Sequence, residues 1–281
     1  MNYRHAYHAG NFADVMKHAV LALVLEHLKL KPQPFRVIDT HAGIGRYDLM
    51  GPEAAKTNEW EAGIGRIAGA DAAPLPGAIA ALLAPYLEIV AALNPDQRLR
   101  HYPGSPLLAL RLMRPADRLI ANELHPEDAE ALAASLAGDR RAKVMRIDGW
   151  IAVKSLLPPP ERRGVVLIDP PYEQRDDLVR LARALAAAVE RFATGTFLLW
   201  YPIKDRAPVE RFHAAVAGLA LPKLMIAELL IRPDDTPDRL NGAGLVIVNP
   251  PWTLEGKLAL LLPFLSDRLG REQGAGYRLS S

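Results

Sequence analysis

Gly164-Val-Val-Leu-Ile-Asp-Pro-Pro-Tyr172 joins a short apolar run to a carboxylate, two prolines and an aromatic ring. An apolar run of this length, bounded by chain breakers, predicts a strand buried on both faces, as in the middle of a parallel sheet. Consecutive prolines have no N–H to give a ladder and a fixed φ, so the strand ends at Ile168 and the chain leaves it rigidly. The Asp169 carboxylate, the Pro170 carbonyl and the Tyr172 ring are thereby presented together.

Outward from this strand the pattern repeats. Phe35-Arg-Val-Ile-Asp39, Arg118-Leu-Ile-Ala-Asn-Glu123 and Lys143-Val-Met-Arg-Ile-Asp148 each close on a carboxylate and are separated by helix-like stretches. This is the βαβ spacing of a parallel sheet, whose carboxyl strand ends line a ligand crevice. Thr196-Phe-Leu-Leu-Trp-Tyr201 adds a fifth strand. Lys223 to Arg232 and Gly244 to Val248 add two more, joined by a turn-rich linker without a helix, which predicts an antiparallel pair. The reading is an α/β, Rossmann-like fold with a seven-stranded, mostly parallel sheet and an antiparallel terminal hairpin.

Val15, Met16, Ala19, Val20, Leu23, Val24 and Leu28 have the spacing of one helical face, predicting an N-terminal helix that starts near Asn11. From Arg46 to His101 prolines recur at 52, 74, 76, 85 and 95, alanine dominates, and no strand pattern stands out. The expected organisation is a Rossmann-like domain of residues 1–46 and 102–281 carrying a helical insertion, 47–101. Ser105-Pro106 then suits an N-cap followed by a first-turn proline.

With 34 basic and 32 acidic residues among 281, a net charge of +2 excludes a wholesale polycation, so any nucleic-acid surface is local. The absence of cysteine excludes disulfides, thiolate nucleophiles and cysteine-held metal sites. The polar amino terminus lacks the apolar core of a secretory signal, and no apolar run reaches roughly 18 residues. A soluble, cytoplasmic protein with no membrane partner is expected.

The strand-end carboxylates supply the chemistry. The N6 amine of adenine is a poor nucleophile because its lone pair is delocalised, so an enzyme needs acceptors on its two N–H groups. Asp169 and the Pro170 carbonyl can be those acceptors, and Tyr172 can stack on a base taken out of its helix. Asp169-Pro-Pro-Tyr172 resembles the Asp/Asn-Pro-Pro-aromatic motif of amino-methyltransferases. Asn249-Pro-Pro-Trp252 satisfies the same loose pattern, but it follows the strand expected to run antiparallel, so it should lie away from the crevice and be structural.

Asp39-Thr-His-Ala-Gly-Ile-Gly45 is a Gly-x-Gly loop after the first strand; the missing third glycine argues for a cofactor without a pyrophosphate, such as S-adenosyl-L-methionine. A ribose-binding acid is expected about 20 residues after such a loop. With 47–101 set aside, Glu123 falls there. Asp148, closing the third parallel strand, is placed to accept from the adenine amine of the cofactor, with Gly149 admitting the ring; a helix cap is the alternative. Tyr3, Arg4, His5, His8, Asn11, Lys17 and His18 make the first residues rich in groups suited to stacking and phosphate contact. Histidines 5, 8, 18 and 41 follow no known zinc spacing, so no metal is expected.

Tyr3-Arg-His-Ala-Tyr-His-Ala-Gly-Asn11, Asp14-Val-Met-Lys-His18, the Asp39–Tyr47 loop, Tyr102-Pro-Gly-Ser-Pro106, Asn122-Glu-Leu-His-Pro126, Asp148-Gly-Trp150 and Asp169-Pro-Pro-Tyr172 together resemble the bacterial 23S ribosomal RNA adenine-N6 methyltransferase family RlmJ. The resemblance spans nearly the whole chain. It implies a class I methyltransferase fold with a small helical subdomain, S-adenosyl-L-methionine as cofactor and 23S ribosomal RNA as partner. By position it implies that His18, His41, Ser105, Glu123, Asp148, Gly149 and Asp169 border the cofactor, that Asp169 is the catalytic acceptor, and that Tyr3 and Lys17 work at the RNA side with Pro170 and Tyr172. A monomer is expected. A DNA adenine-N6 methyltransferase, a protein glutamine-N5 methyltransferase and an inert RNA-binding assembly factor remain alternatives. Asparagine in place of Asp169 would favour the glutamine enzyme, and intact Asp169, Tyr172 and Glu123 count against the inert factor.

Overall fold

The structure, a computed structural model, describes residues 5–219, 221, 223–235 and 239–281. A 3-10 turn, His5–Tyr7, leads into α1 (Phe12–Lys29), β1 (Arg36–Asp39) and β2 (Arg46–Asp48). A second such turn at Ala54–Lys56, α2 (Gly65–Ala68), α3 (Gly77–Leu93) and β3 (His101–Pro103) follow. Helices and strands then alternate: α4 (Ser105–Leu112), β4 (Arg118–Asn122), α5 (Pro126–Ser135), β5 (Ala142–Met145), α6 (Gly149–Ser155), β6 (Gly164–Ile168), α7 (Asp177–Arg191), β7 (Thr196–Ile203) and α8 (Arg206–Ala217). The order ends with β8 (Leu224–Leu230), β9 (Gly242–Val248), α9 (Leu254–Leu269) and β10 (Gly276–Ser280).

The main sheet runs β10-β8-β9-β7-β6-β1-β4-β5. Its five strands from β7 to β5 are parallel, with Ile38 opposite Val166 in β6 and opposite Ile120 in β4. After β1 the chain builds outward through β4 and β5, then returns to lay β6 on the other side of β1. Such a reversal of strand order opens a crevice at the carboxyl ends, and here it falls between Asp39 and Asp169.

β8 and β9 pair antiparallel, as the turn-rich sequence between them predicts, with β9 inserted against β7. The sheet has one strand beyond the seven expected: β10 pairs antiparallel with β8, from Gly276 opposite Leu230 to Ser280 opposite Ile226. Gly-Tyr-Arg-Leu-Ser is largely exposed and carries no apolar run that would announce it. The expectation of no strand between Arg46 and His101 is also corrected, because β2 and β3 form a ribbon with Tyr47 opposite Tyr102. Three-residue strands are too short to show a period of two.

Alternation along each strand sends residues to opposite faces. Val165 and Leu167 join the core built by α1, α3, α4 and α9, while Val166 and Ile168 join the core built by α6, α7 and α8. This makes β6 the buried centre of three layers, and its carboxyl end a fixed point.

Candidate active site

Asp169 leaves β6 where Pro170 and Pro171 stop the ladder. Tyr172 then adopts a left-handed φ of 53°, a conformation that costs an L-tyrosine of the order of 1 kcal/mol. Two contacts hold it there: its hydroxyl donates to the Trp200 carbonyl, and its ring meets Trp200 edge-on at 5.6 Å.

The floor of the site comes from α1. Asn11 caps it, accepting from the N–H groups of Ala13 and Asp14 at 3.0 and 3.1 Å. One face then presents Asp14, Lys17 and His18, all buried. Asp14 accepts from the Gly10 N–H at 2.9 Å, takes His5 Nε2 at 3.0 Å and pairs with Lys17 Nζ at 2.9 Å. Lys17 Nζ also donates to Asp169 Oδ2 at 2.6 Å. Burial opposes the lysine charge, but Asp14 and Asp169 outweigh it and hold the Lys17 pKa well above that of a free lysine. Asp14 is likewise kept well below the usual carboxylate range: burial works against its charge, and His5, Lys17 and His18 more than compensate. The N-terminal polarity read as an RNA-facing surface is, for these residues, the interior of the site.

A cavity of about 270 Å³ lies over this floor, and His18, His41, Ser105, Glu123, Asp148, Gly149 and Asp169 all line it. Glu123 accepts from the Gly43 N–H and the His125 N–H, both at 2.9 Å, so its carboxylate is clamped on the loop after β1. Burial raises its pKa. Asp148 uses Oδ1 to cap α6, accepting from Trp150 N–H at 2.8 Å, while its Oδ2 takes no partner among the described residues. The cap and the ligand readings of Asp148 are therefore compatible. At Gly149 a Cβ would stand 2.2 Å from His41 Nε2, so the absent side chain makes room for the His41 ring. Burial pushes the His41 pKa down to about 4, and its Nδ1 pairs with the Thr40 hydroxyl at 2.8 Å.

Ser105 is the first residue of α4, not its cap, which is Gly104. Its hydroxyl donates to Asp39 Oδ2 at 2.6 Å. Burial pushes the Asp39 pKa up to about 6 against this hydrogen bond. In the loop between, Gly43 is in the left-handed region and a Cβ there would strike the Tyr47 hydroxyl at 2.2 Å, while Gly45 accepts from Gly104 N–H at 2.7 Å.

S-adenosyl-L-methionine fits this donor set. Six carboxylates, Glu123, Asp128, Asp148, Asp169, Glu173 and Asp177, outnumber Lys17 and Arg180 on the lining, which suits a cationic sulfonium with a ribose diol and an adenine amine and opposes a pyrophosphate.

A second cavity of about 360 Å³ shares Lys17 and Asp169 with the first and is lined also by Pro170, Tyr172, Trp200 and Glu59. Asp169 thus stands in the wall between an acidic chamber and an aromatic one. Glu59 accepts from Asn11 Nδ2 at 2.9 Å and pairs with His8 Nδ1 at 3.0 Å, docking the segment after β2 on the N-terminal turn. Lys17 is only 3% exposed, which puts an outer phosphate beyond its reach, but it lines this second cavity, so the other expected contact, with a target nucleotide, stays open to it. Tyr3 lies outside the described residues. Asp14, Asp39, Trp200 and Glu59 were not singled out in the sequence; only the carboxylate at the β1 end carried a signal. Among the described residues no group of three His, Cys, Asp or Glu side chains could hold a metal ion, and no helix is long and apolar enough to cross a membrane.

A three-layer α/β fold whose crevice holds a clamped acid after β4, a second acid after β5 and Asp-Pro-Pro-Tyr after β6 defines an S-adenosyl-L-methionine-dependent methyltransferase of class I. A model of the family described as ribosomal RNA large subunit methyltransferase D, RlmJ, matches residues 32–280. This chain belongs to that family. Ribosomal RNA large subunit methyltransferase J of Haemophilus influenzae is 43% identical over 270 residues, covering 96% of this chain and 94% of that protein. The Escherichia coli K12 protein of the same name is 41% identical over 269 residues, with the same coverage of 96% and 94%. A solved structure of a Legionella pneumophila protein superposes with a TM-score of 0.89 at 33% identity, covering 98% of each chain.

Proposed function

We propose that this enzyme methylates the exocyclic N6 amine of an adenine in 23S ribosomal RNA. The observation that carries the reading is the position of Asp169, between an acidic cavity suited to a sulfonium cofactor and a second cavity walled by Tyr172 and Trp200. A flipped purine fits between aromatic rings, and the curated relatives are named as large-subunit ribosomal RNA methyltransferases.

When bound, S-adenosyl-L-methionine supplies an electrophilic methyl group on a sulfonium that departs as a neutral thioether. Glu123 would hold the ribose diol, and the unoccupied Oδ2 of Asp148 the adenine amine. Asp169, fixed through Oδ2 by Lys17, would turn Oδ1 to one N6 hydrogen, and the Pro170 carbonyl would accept the other. Those two acceptors would direct the amine lone pair and stabilise the positive charge that develops on N6, and the one N6 proton released would pass to Asp169 Oδ1. Tyr172 holds the base in plane.

Residues 47–101 are read as a subdomain on the Rossmann-like domain of 1–46 and 102–281. Support comes from the β2–β3 ribbon, through which the segment leaves and returns, and from Glu59, which brings it to the second cavity. We take the enzyme to act as a monomer in the cytoplasm, where ribosomal RNA is made. Mass spectrometry of nucleosides and of proteolytic peptides from cells with and without the gene tests the substrate. Loss of one N6-methyladenine from 23S ribosomal RNA is expected. Loss from DNA, or of N5-methylglutamine from a protein, would overturn the reading.

A further inference from the structure

The buried polar chain behind the cofactor cavity has a direction. Tyr86, on α3, places its hydroxyl 2.8 Å from that of Tyr102, and the Tyr102 hydroxyl lies 2.8 Å from His18 Nδ1. The far nitrogen, His18 Nε2, is 3.9 Å from Asp14 Oδ1. All three rings are buried to within 1%. Burial raises the pKa of both phenols, so both keep their protons, and burial pushes the His18 pKa down to about 3, leaving a neutral ring with a single N–H.

Two proton arrangements satisfy the distances. In one, His18 Nδ1–H donates to Tyr102 and Tyr102 donates to Tyr86. The Tyr86 O–H then has no acceptor among the described residues, and the bare lone pair of His18 Nε2 faces the Asp14 carboxylate. In the other, Tyr86 donates to Tyr102 and Tyr102 donates to His18 Nδ1. Every O–H is then bonded, and the imidazole proton sits on Nε2, on the Asp14 side. An unmade bond to a buried donor is costly, and a lone pair against a carboxylate adds to the cost, so the second arrangement prevails.

We infer that Tyr102 and Tyr86 are positioning residues that fix His18 with its proton on Nε2, so that the histidine lining the cofactor cavity is a hydrogen-bond donor to the cofactor and not an acceptor. Because Tyr86 belongs to α3, the segment 47–101 contributes to the cofactor chamber as well as to the second cavity. The inference concerns the cofactor side alone and goes beyond the identity of the methyl acceptor, so a negative RNA assay leaves it standing.

The test is made on the free, full-length protein. Long-range proton–nitrogen NMR of the nitrogen-15-labelled enzyme at pH 7, with His18 assigned through His18→Gln, should show an unprotonated Nδ1 and a protonated Nε2. Tyr102→Phe keeps the ring and removes the donor. It should mix the two tautomers, weaken S-adenosylhomocysteine binding about tenfold, and raise the cofactor KM while kcat at saturating cofactor stays within about twofold. Tyr86→Phe leaves the Tyr102 hydroxyl free to turn and should shift the tautomers less, with about threefold weaker binding. A purely structural role for Tyr102 would lower the melting temperature without moving the tautomer. A proton on Nδ1 in the unsubstituted enzyme, or an unchanged tautomer and affinity in Tyr102→Phe, would overturn the inference. Should either variant fail to fold, the spectrum of the unsubstituted enzyme decides by itself.

Discussion

Lys17 Nζ donates to Asp169 Oδ2 at 2.6 Å, joining the first turns of α1 to the carboxyl end of β6 across 152 positions of the chain. The bond leaves Asp169 one oriented oxygen instead of a freely rotating carboxylate. Orientation set before the substrate arrives is a large part of what a proton-accepting group contributes.

Asp169→Asn should therefore lower turnover at least about a hundredfold while cofactor affinity stays within about tenfold, because the lost acceptor acts on the amine in the transition state. Single-turnover methyl transfer beside calorimetric cofactor binding separates the two. Unimpaired transfer would remove Asp169 from the chemistry.

Lys17→Met leaves the buried Asp14 and the half-buried Asp169 without their shared cation. Breaking a buried pair by removing one partner costs about 3–5 kcal/mol, so thermal unfolding should show a large loss of stability together with lost activity. Since the ammonium is buried, the salt dependence of RNA binding should be unchanged in Lys17→Arg. A slope shallower by one phosphate contact would instead place this residue on the RNA backbone.

For Glu123→Gln, the amide can serve only one of the two backbone N–H groups now clamped by the carboxylate, and the charge proposed to meet the ribose is gone. Cofactor affinity should fall by roughly 1–3 kcal/mol, or about ten- to a hundredfold. Calorimetry giving normal affinity would exclude Glu123 from the cofactor site.

The buried histidines make stability fall in acid. The folded pKa of His18 is about 3, depressed by burial, and that of His41 is about 4 for the same reason. Below pH 6.5 the unfolded chain takes up protons that the native state refuses, so stability present above that pH is lost as it falls toward 3. For His18 alone the loss between pH 7 and 4.5 is about 3 kcal/mol. Asp39, raised to about 6, acts in the opposite sense over part of this range and offsets one of the two histidines. A melting temperature several degrees lower at pH 4.5 than at pH 7 is expected, with a flatter profile in His18→Gln. Identical melting temperatures would mean the histidines titrate normally.

Asn249→Ala should cost stability and not chemistry. Its amide donates to the Ala193 and Gly195 carbonyls, both at 2.8 Å, beside the start of β7. Loss of two such bonds is worth about 1–3 kcal/mol, readable by denaturant titration, while kcat per folded molecule is retained. A selective catalytic defect would mean the wrong Pro-Pro motif was taken as the active one.

The parallel strands, their carboxylate ends and the antiparallel β8–β9 pair were legible because apolar runs and chain breakers are local signals. The proposed role of Glu123 is reached by counting with 47–101 set aside, and its place on the lining of the first cavity accords with it. The β2–β3 ribbon and β10 were not legible, being short or exposed and held by partners distant in sequence. Nor was the Lys17–Asp169 pair: nothing local tells a buried lysine from one that meets phosphate. Ser105 showed the limit of capping rules, since a serine before a proline gave its hydroxyl to Asp39, 66 positions away.

Tyr172 and Asn249 both sit in the left-handed region, at φ 53° and 52°, but at opposite ends of their four-residue patterns. In the first the aromatic residue bears the strained backbone at the mouth of the crevice. In the second the asparagine, which tolerates it, turns its amide back onto the sheet. One four-letter pattern thus stands in two settings within a single chain, after a parallel strand and after an antiparallel one. With Asp169-Pro-Pro-Tyr172 proposed as the active motif, a Pro-Pro-aromatic match taken alone would select Asn249-Pro-Pro-Trp252 equally well.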